Sequence, residues 1–575
     1  MIRTINLTFL FLLLVMTGFT QYKQNQTNLT ELLNNQGNIL PFTRLDERKI
    51  AVITDNESRY TDFIQHLKRY GEVACFGFEQ YDEHTKYFNT LIIAGDISHL
   101  APQHMAMALQ SAVNNKDVIL ALFGSNRDYT QLGLNTQNLS RFASVIRHPE
   151  NNQNAQQQMA MSIFGGMAIT QGALKTEQTR LQYSQQEQSG LDLDNMTRLI
   201  DAVAEDAIRQ EATPGMMVMA IKDGQVIFEK AYGYHTYLKK QHNSIDDIYD
   251  LASISKIAGT TPVIMHLQER QVIDLDSTMG HYLWQAKQTN KADITLRTVL
   301  LHEAGFIPFI PFYRHLKPGD LQHVSSESHQ VQVAQNAFLR NHYYRDVMWP
   351  EMLRSPVKPI GNYVYSDISM YVMKEVAEHE TAKPMEEFIQ EILYRPIGMK
   401  TAGYLPRKRF DQTRIVPTQN DTVFRKELLQ GFVHDEGAAM AGGVAGHAGL
   451  FASANDLAIY GQMLLNRGAY GGVRYFEPHT VDLFTSRQSE SSHRGLGFDR
   501  YNPRPGADYP SKLANESVYG HTGYTGTCIW IDPANQFIYI FLSNRVHPQV
   551  STKIYDLNVR SRIQDIIYET IANSK

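Results

Sequence analysis

The densest chemistry in the sequence lies in four residues, Ser253-Ile254-Ser255-Lys256. An apolar, helix-compatible run follows them. If Ser253 opens that helix, positions i and i+3 share a face and Lys256 is held against the Ser253 hydroxyl. A serine is a weak nucleophile until a neighbour accepts its proton, and a partly buried lysine that is neutral part of the time can do so. The helix N-terminus would also aim free N–H groups and the positive end of its dipole at the reacting group. The bland alternative is a helix cap beside a surface lysine, since S-x-x-K arises by chance in long chains.

Two further clusters add to it. Tyr365-Ser366-Asp367 follows a turn at Gly361-Asn362, and a phenol there can shuttle a proton between a nucleophile and a leaving group. His521-Thr522-Gly523 lies within residues 520–527 (GHTGYTGT), directly before an apolar strand. Small residues there let a substrate lie along a strand edge, and the backbone N–H groups of Tyr524 and Ser253 can form an oxyanion hole. Taken singly, these are also a tyrosine at a loop edge and a glycine-rich turn.

The elements that must position these clusters form an α+β pattern over residues 194–575. Leu199, Ile200, Val203, Ala207 and Ile208 line one face of a first helix. Strands are expected at 216–221 and 226–232, joined through Asp223-Gly224, a hairpin signal. A helical, mixed region spans about 253–465. Two more strands are expected at 527–531 and 537–542, and a last helix carries Val559, Ile563, Ile566 and Ile567 on one face. The two ends should meet in one antiparallel sheet.

The order and rough spacing of the three clusters match the S-x-x-K, polar-triplet and K-T-G set of penicillin-recognising enzymes. Residues from about 194 to 573 therefore resemble the β-lactamase-related serine hydrolases, close to the class C, penicillin-binding-protein-like and esterase branch with its Y-x-N element. Residues 300–306 (LLHEAGF), 433–437 (VHDEG), 442–451 (GGVAGHAGLF) and 494–498 (RGLGF) extend the match. The resemblance implies a β-lactamase/transpeptidase-like domain, an antiparallel sheet with a helical subdomain. It implies that Ser253 is the nucleophile, Lys256 its partner and Tyr365 the acid/base. Asp367, His521, Thr522, Gly523 and Tyr524 would then bind substrate. The activity implied is hydrolysis of an ester or amide, of the esterase, D-aminopeptidase/carboxypeptidase or β-lactamase-like kind, with a small molecule or a peptidoglycan-derived peptide as substrate. A slow-acylating penicillin- or wall-peptide-binding protein and an inert scaffold are the alternatives.

The sequence departs from that pattern twice. His521 stands where the family has the lysine of K-T-G, and Asp367 where it has the asparagine of Y-x-N. Lysine is a fixed cation at neutral pH, whereas an unperturbed histidine titrates near about 6.5. The site is thus expected to lose positive charge, to favour a charged Lys256 if Asp367 lies beside it, and either to need a higher pH or to have His521 protonated by its surroundings. A histidine also holds a substrate carboxylate less surely. His302 and His447 sit in Gly/Ala-rich apolar stretches and read as structural, and no compact His/Asp/Glu spacing around them marks a zinc site. No cofactor or metal is expected.

Ahead of this unit, residues 28–170 alternate apolar runs with helical ones: 49–54, 60–70, 73–78, 90–94, 105–113 and 118–123. That is an α/β domain with a mostly parallel sheet covered on both faces. No G-x-G-x-x-G follows any of these strands, so dinucleotide binding is unsupported. Asn38-Ile-Leu-Pro-Phe42, residues 49–53, 121–125 (ALFGS) and 163–166 (IFGG) resemble the C-terminal α/β domain of family 3 glycoside hydrolases. The barrel that carries the glycosidase nucleophile in that family is missing, so no glycosidase activity is expected. Residues 171–193 are rich in Gln, Ser and Thr and read as a linker.

Arg3, the apolar run 7–16 (LTFLFLLLVM) and small residues before Gln21 read as a signal peptide over residues 1–20, hence a periplasmic or secreted protein with no stable membrane span after cleavage. The 575 residues carry a formal net charge of -5, which excludes the basic footprint of a nucleic-acid binder. Cys75 and Cys528, the two cysteines, read as separate free thiols.

Overall fold

The computed structural model describes residues 28–125, 128–184, 190–502 and 510–574; residues 1–20, read above as a signal peptide, lie outside them. The first sheet is built from β1 (Glu31–Asn35), β2 (Ile50–Thr54), β3 (Val73–Gly77), β4 (Thr90–Asp96), β5 (Asp117–Phe123) and β6 (Ser144–His148) in the order β1-β6-β5-β4-β2-β3. Strands β2 to β6 pair in parallel and β1 closes one edge antiparallel. The continuous apolar runs of β2, β4 and β5 follow from burial on both faces. Helices α1 (Thr61–Tyr70) and α3 (Gln153–Phe164) cover one face through Phe63, Leu67, Met159 and Ile163, and α2 (Pro102–Val113) covers the other through Met105 and Ala108.

The second sheet is antiparallel. Its strands are β7 (Gly215–Lys222), β8 (Gln225–Gly233), β9 (Asp499–Arg500), β10 (Tyr519–Thr522), β11 (Cys528–Asp532) and β12 (Phe537–Ser543), in the order β9-β10-β11-β12-β7-β8. The β7–β8 turn has Asp223 and Gly224 both at positive φ, the geometry the Asp-Gly pair implied. Alternation along the strands splits the core. Val218, Trp530 and Tyr539 face α4 (Leu193–Arg209) and the terminal helix, Val559–Asn573. Met219, Ile529 and Ile540 face the helical region, which includes Thr261–Glu269, Ile368–Thr381 and Ala454–Leu465. The chain ends do meet in one sheet.

Residues 180–184, within the segment read as a linker, are packed against both sheets. Arg180 is buried and donates to the Phe42, Thr43 and Phe164 carbonyls. The Tyr70 hydroxyl donates to Leu181 O, and Gln182 pairs with Gln225 at the start of β8. Arg69 of α1 makes a two-pronged ion pair with Glu229 of β8. Cys75 and Cys528 are not joined in a disulfide.

Candidate active site

The segment leading into Ser253 is held in an unfavourable backbone conformation. Ala252 has φ +46°, a left-handed geometry that costs a non-glycine residue about 1–2 kcal/mol. Buried Asp250 stabilises it: one carboxylate oxygen accepts from Ala252 N at 2.9 Å and the other from His434 N at 2.7 Å. Leu251 N donates to Leu450 O and Ser255 Oγ accepts from Leu450 N, which ties the segment to the 447–451 loop. The chain turns helical at Ile254, so Ser253 sits just ahead of the helix and half-buried.

Lys256 is fully buried, and its ammonium donates to Ser253 Oγ at 2.9 Å, Asp367 Oδ1 at 2.8 Å and His447 O at 3.4 Å. Its Nζ also lies 4.8 Å from the centre of the Tyr365 ring. Burial opposes its charge, but Asp367 and Tyr365 outweigh burial and raise its pKa above the ordinary lysine value. The part-neutral amine expected from the sequence is therefore not what these surroundings favour; Asp367 keeps it an ammonium.

The strand bearing His521 ends against the same segment. Thr525 Oγ1 donates to Asp250 O and Thr527 Oγ1 to Leu251 O. A Cβ at Gly523 would come within 2.4 Å of Leu251 O, so only glycine fits there. Among the described residues, no acceptor engages the backbone N–H of Ser253 or of Tyr524. Thr522 is half-buried and the Tyr524 side chain is exposed at the rim. The neighbouring β9 pairs with Tyr519 and Gly520, so among the described residues β10 is unpaired on that side from His521 onward.

His521 is buried. Its Nδ1 faces the Thr522 carbonyl at 2.7 Å, which can only accept, so Nδ1 carries the proton and Nε2 is a bare acceptor. Burial, reinforced by the Arg494 cation, pushes it down to about 3. His302, at φ +57°, accepts from Ser366 N through Nδ1, and its ring lies 4.7 Å from that of Tyr365. Burial and the cations Arg494 and Lys256 hold it neutral as well.

Sequence reasoning missed the role of Arg494. It is 2% exposed, and its guanidinium carbon lies 5.5 Å from the centre of the Tyr365 ring. Its Nη1 lies 3.4 Å from Asp499 Oδ1 and it donates to Gly497 O. Burial opposes the Asp499 charge, yet Arg494 and His493 hold the carboxyl well below the usual range. The expected loss of positive charge at His521 is thus offset from a different strand end.

His447 is buried as expected, but not isolated. Its Nε2 lies 3.0 Å from Asp435 Oδ1, and Asp367, Asp435 and His447 bring one ligand-type atom each within 4.8 Å of one another. The sequence reading found no such set because positions 367, 435 and 447 converge only through the fold. Lys256 already balances Asp367, and His447 faces Asp435. Chemically, the assembly offers an oriented hydroxyl, a buried ammonium, a phenol between two cations and two free N–H donors.

Residues 197–561, more than half of the chain, match the protein family described as Beta-lactamase. A protein of Salmonella paratyphi A (strain ATCC 9150 / SARB42) named "Putative D-alanyl-D-alanine carboxypeptidase" is 29% identical over 421 residues, which span 68% of this chain and 92% of that relative. Among solved structures, EstCE1, described as a hydrolase with promiscuous acyltransferase activity, is 19% identical and covers 65% of this chain and 99% of its own, with a TM-score of 0.49. A Beta-Lactamase/D-Alanine Carboxypeptidase from Pseudomonas syringae is 16% identical, covers 64% and 99%, and has a TM-score of 0.48.

Proposed function

The chain belongs to the Beta-lactamase family of serine hydrolases, and from that premise we propose that it is an exported enzyme that cleaves an ester or amide through an acyl-enzyme on Ser253, with cell-wall-derived peptides as its substrate class. The 2.9 Å contact between Ser253 Oγ and the buried Lys256 ammonium carries this reading. The substrate carbonyl lies over Ser253 Oγ, with its oxygen toward the N–H groups of Ser253 and Tyr524. Tyr365, ionised to the phenolate beside the Lys256 ammonium, takes the Ser253 proton as Oγ bonds to the carbonyl carbon and becomes the phenol, while Lys256 stays an ammonium. The tetrahedral intermediate collapses, and Tyr365 returns the proton to the departing alcohol or amine. Water then attacks the acyl-enzyme in the same way and frees Ser253. Thr522 and Gly523, on the unpaired side of β10, line the substrate, and Tyr524 forms the outer rim.

The peptide assignment rests on the name of the Salmonella relative and on the export signal read at residues 1–20. The N-terminal α/β domain, with its likeness to the family 3 glycoside hydrolase C-terminal domain, stays outside the reaction. The second reading is a penicillin- or wall-peptide-binding protein that acylates and deacylates slowly. It is favoured by the Asp367–Lys256 pair, which ties up the ammonium. Mature protein and Ser253→Ala are compared on a short p-nitrophenyl ester with pre-steady-state detection. A burst and steady turnover, both lost in the variant, are expected. A burst without turnover would favour the slow-acylating reading, and equal slow rates in both proteins would remove Ser253 from the chemistry.

A further inference from the structure

Four side chains from four elements face the Tyr365 ring. Lys256 approaches from the helix after the nucleophile at 4.8 Å, Arg494 from the loop before β9 at 5.5 Å, His302 at 4.7 Å and His521 of β10 at 6.1 Å. The two histidines have their tautomers fixed by backbone partners, and neither adds positive charge. The carboxylates nearby are spoken for: Asp367 by Lys256, Asp499 by Arg494 and His493, and Glu303 by the Ser489 and Ser491 hydroxyls.

We propose that Arg494 is a positioning residue that supplies, through Tyr365, the fixed positive charge which relatives place on the K-T-G lysine. The inference rests on the reading of Ser253 and Tyr365 given above. Arg494 is 2% exposed, so it acts on the phenol and not on a substrate in the mouth. Asp499 and Gly497 O fix the guanidinium plane, and the half-buried Tyr363 phenol lies close enough to interact electrostatically with it. Among the described residues its Nε–H has no acceptor, so its donors are not all spent on Asp499. A cation fixed in place before the reaction keeps Tyr365 ionised as the base at lower pH and stabilises the phenolate that re-forms as the proton passes to the leaving group, without reorganising at that moment.

The full chain is assayed on a p-nitrophenyl ester, with kcat and KM measured against pH for wild type, Arg494→Lys, Tyr363→Phe and the double variant Arg494→Met/Asp499→Asn. The double variant avoids leaving Asp499 buried without its partner. It should lower kcat by about 100-fold, the scale of losing one preorganised electrostatic contact, with KM nearly unchanged and the rising limb of kcat moved to higher pH. Arg494→Lys should recover a large part of the loss. Tyr363→Phe, which keeps the charge and loosens its orientation, should give a smaller shift of the same sign and covers the case of a misfolded double variant. A folded double variant with wild-type kcat and limb would overturn the inference. So would a raised KM at unchanged kcat, which would make Arg494 a substrate-binding residue. If Ser253→Ala retained turnover, the nucleophile reading would fail instead, whatever the Arg494 variants did.

Discussion

Replacing Asp367 by Asn tests the charge balance at its shortest contact. The Lys256 ammonium lies 2.8 Å from Asp367 Oδ1, with the lysine wholly buried and the aspartate side chain 23% exposed. At that distance Coulomb attraction is about 6 kcal/mol for an effective dielectric constant of about 20. Solvent at the exposed edge of Asp367 and the desolvation of Lys256 consume most of it, leaving on the order of 2 kcal/mol. That corresponds to about 1.5 pH units at roughly 1.4 kcal/mol per unit. Removing one negative charge makes deprotonation easier at this site, whether the proton leaves Tyr365 beside an unneutralised ammonium or leaves Lys256 itself. The rising limb of kcat/KM for Asp367→Asn on a p-nitrophenyl ester, followed from pH 5.5 to 9.5, should therefore move down by about one to two pH units. Stability should respond oppositely. Asp367 raises the folded-state pKa of Lys256, so its contribution is present below the unfolded lysine value of about 10.4 and is lost as pH rises through the folded value. The variant should melt lower than wild type at pH 7, and the gap should close only in strong alkali. A limb that stays in place or moves upward would refute the reasoning.

Two other substitutions probe the surroundings. His521→Lys restores the family's lysine but puts an ammonium beside Arg494 in a place 2% exposed. Urea unfolding should show a loss of about 1–3 kcal/mol, and a neutral-pH protein as stable as wild type would mean that water reaches the site. Arg180→Met leaves the Phe42, Thr43 and Phe164 carbonyls without their shared donor. It should cost about 2–4 kcal/mol and speed amide exchange first in the parallel sheet, with ester turnover intact below the melting range; exchange rising equally in both sheets would contradict a local clamp.

Apolar runs, the hairpin turn and the spacing of Ser253 from Lys256 were legible in the sequence because each depends on local periodicity. Strand β6 (Ser144–His148) escaped that reading. Its sequence, SVIRH, is half polar, yet all five residues are buried. Arg147 pairs with Glu31 on β1 and donates to the Gly124 and Ser125 carbonyls, while His148 faces Gln158 of α3. Polar side chains can fill a core strand when such partners arrive from elsewhere in the chain, and no periodicity rule anticipates them. Residues 171–193 have the composition of a tether, yet Arg180, Leu181 and Tyr183 within them are buried by contacts on both sides, which composition alone does not register.

The active site shows the same limit in its charges. Read along the motifs alone, His521 removes a cation and Asp367 adds an anion, which leaves Tyr365 with weak electrostatic support. The fold adds Arg494 and Asp499, which belong to neither motif. Around the phenol stand two cations, Lys256 and Arg494, each facing one carboxylate, and two imidazoles held neutral. The two departures therefore describe a site whose formal charge is balanced, with its cations held by internal partners and not awaiting an anionic group of the substrate. A bound substrate carboxylate would have to compete with Asp367 and Asp499 for charge already paired. A neutral ester or amide incurs no such competition, which is why simple esters are the informative first substrates.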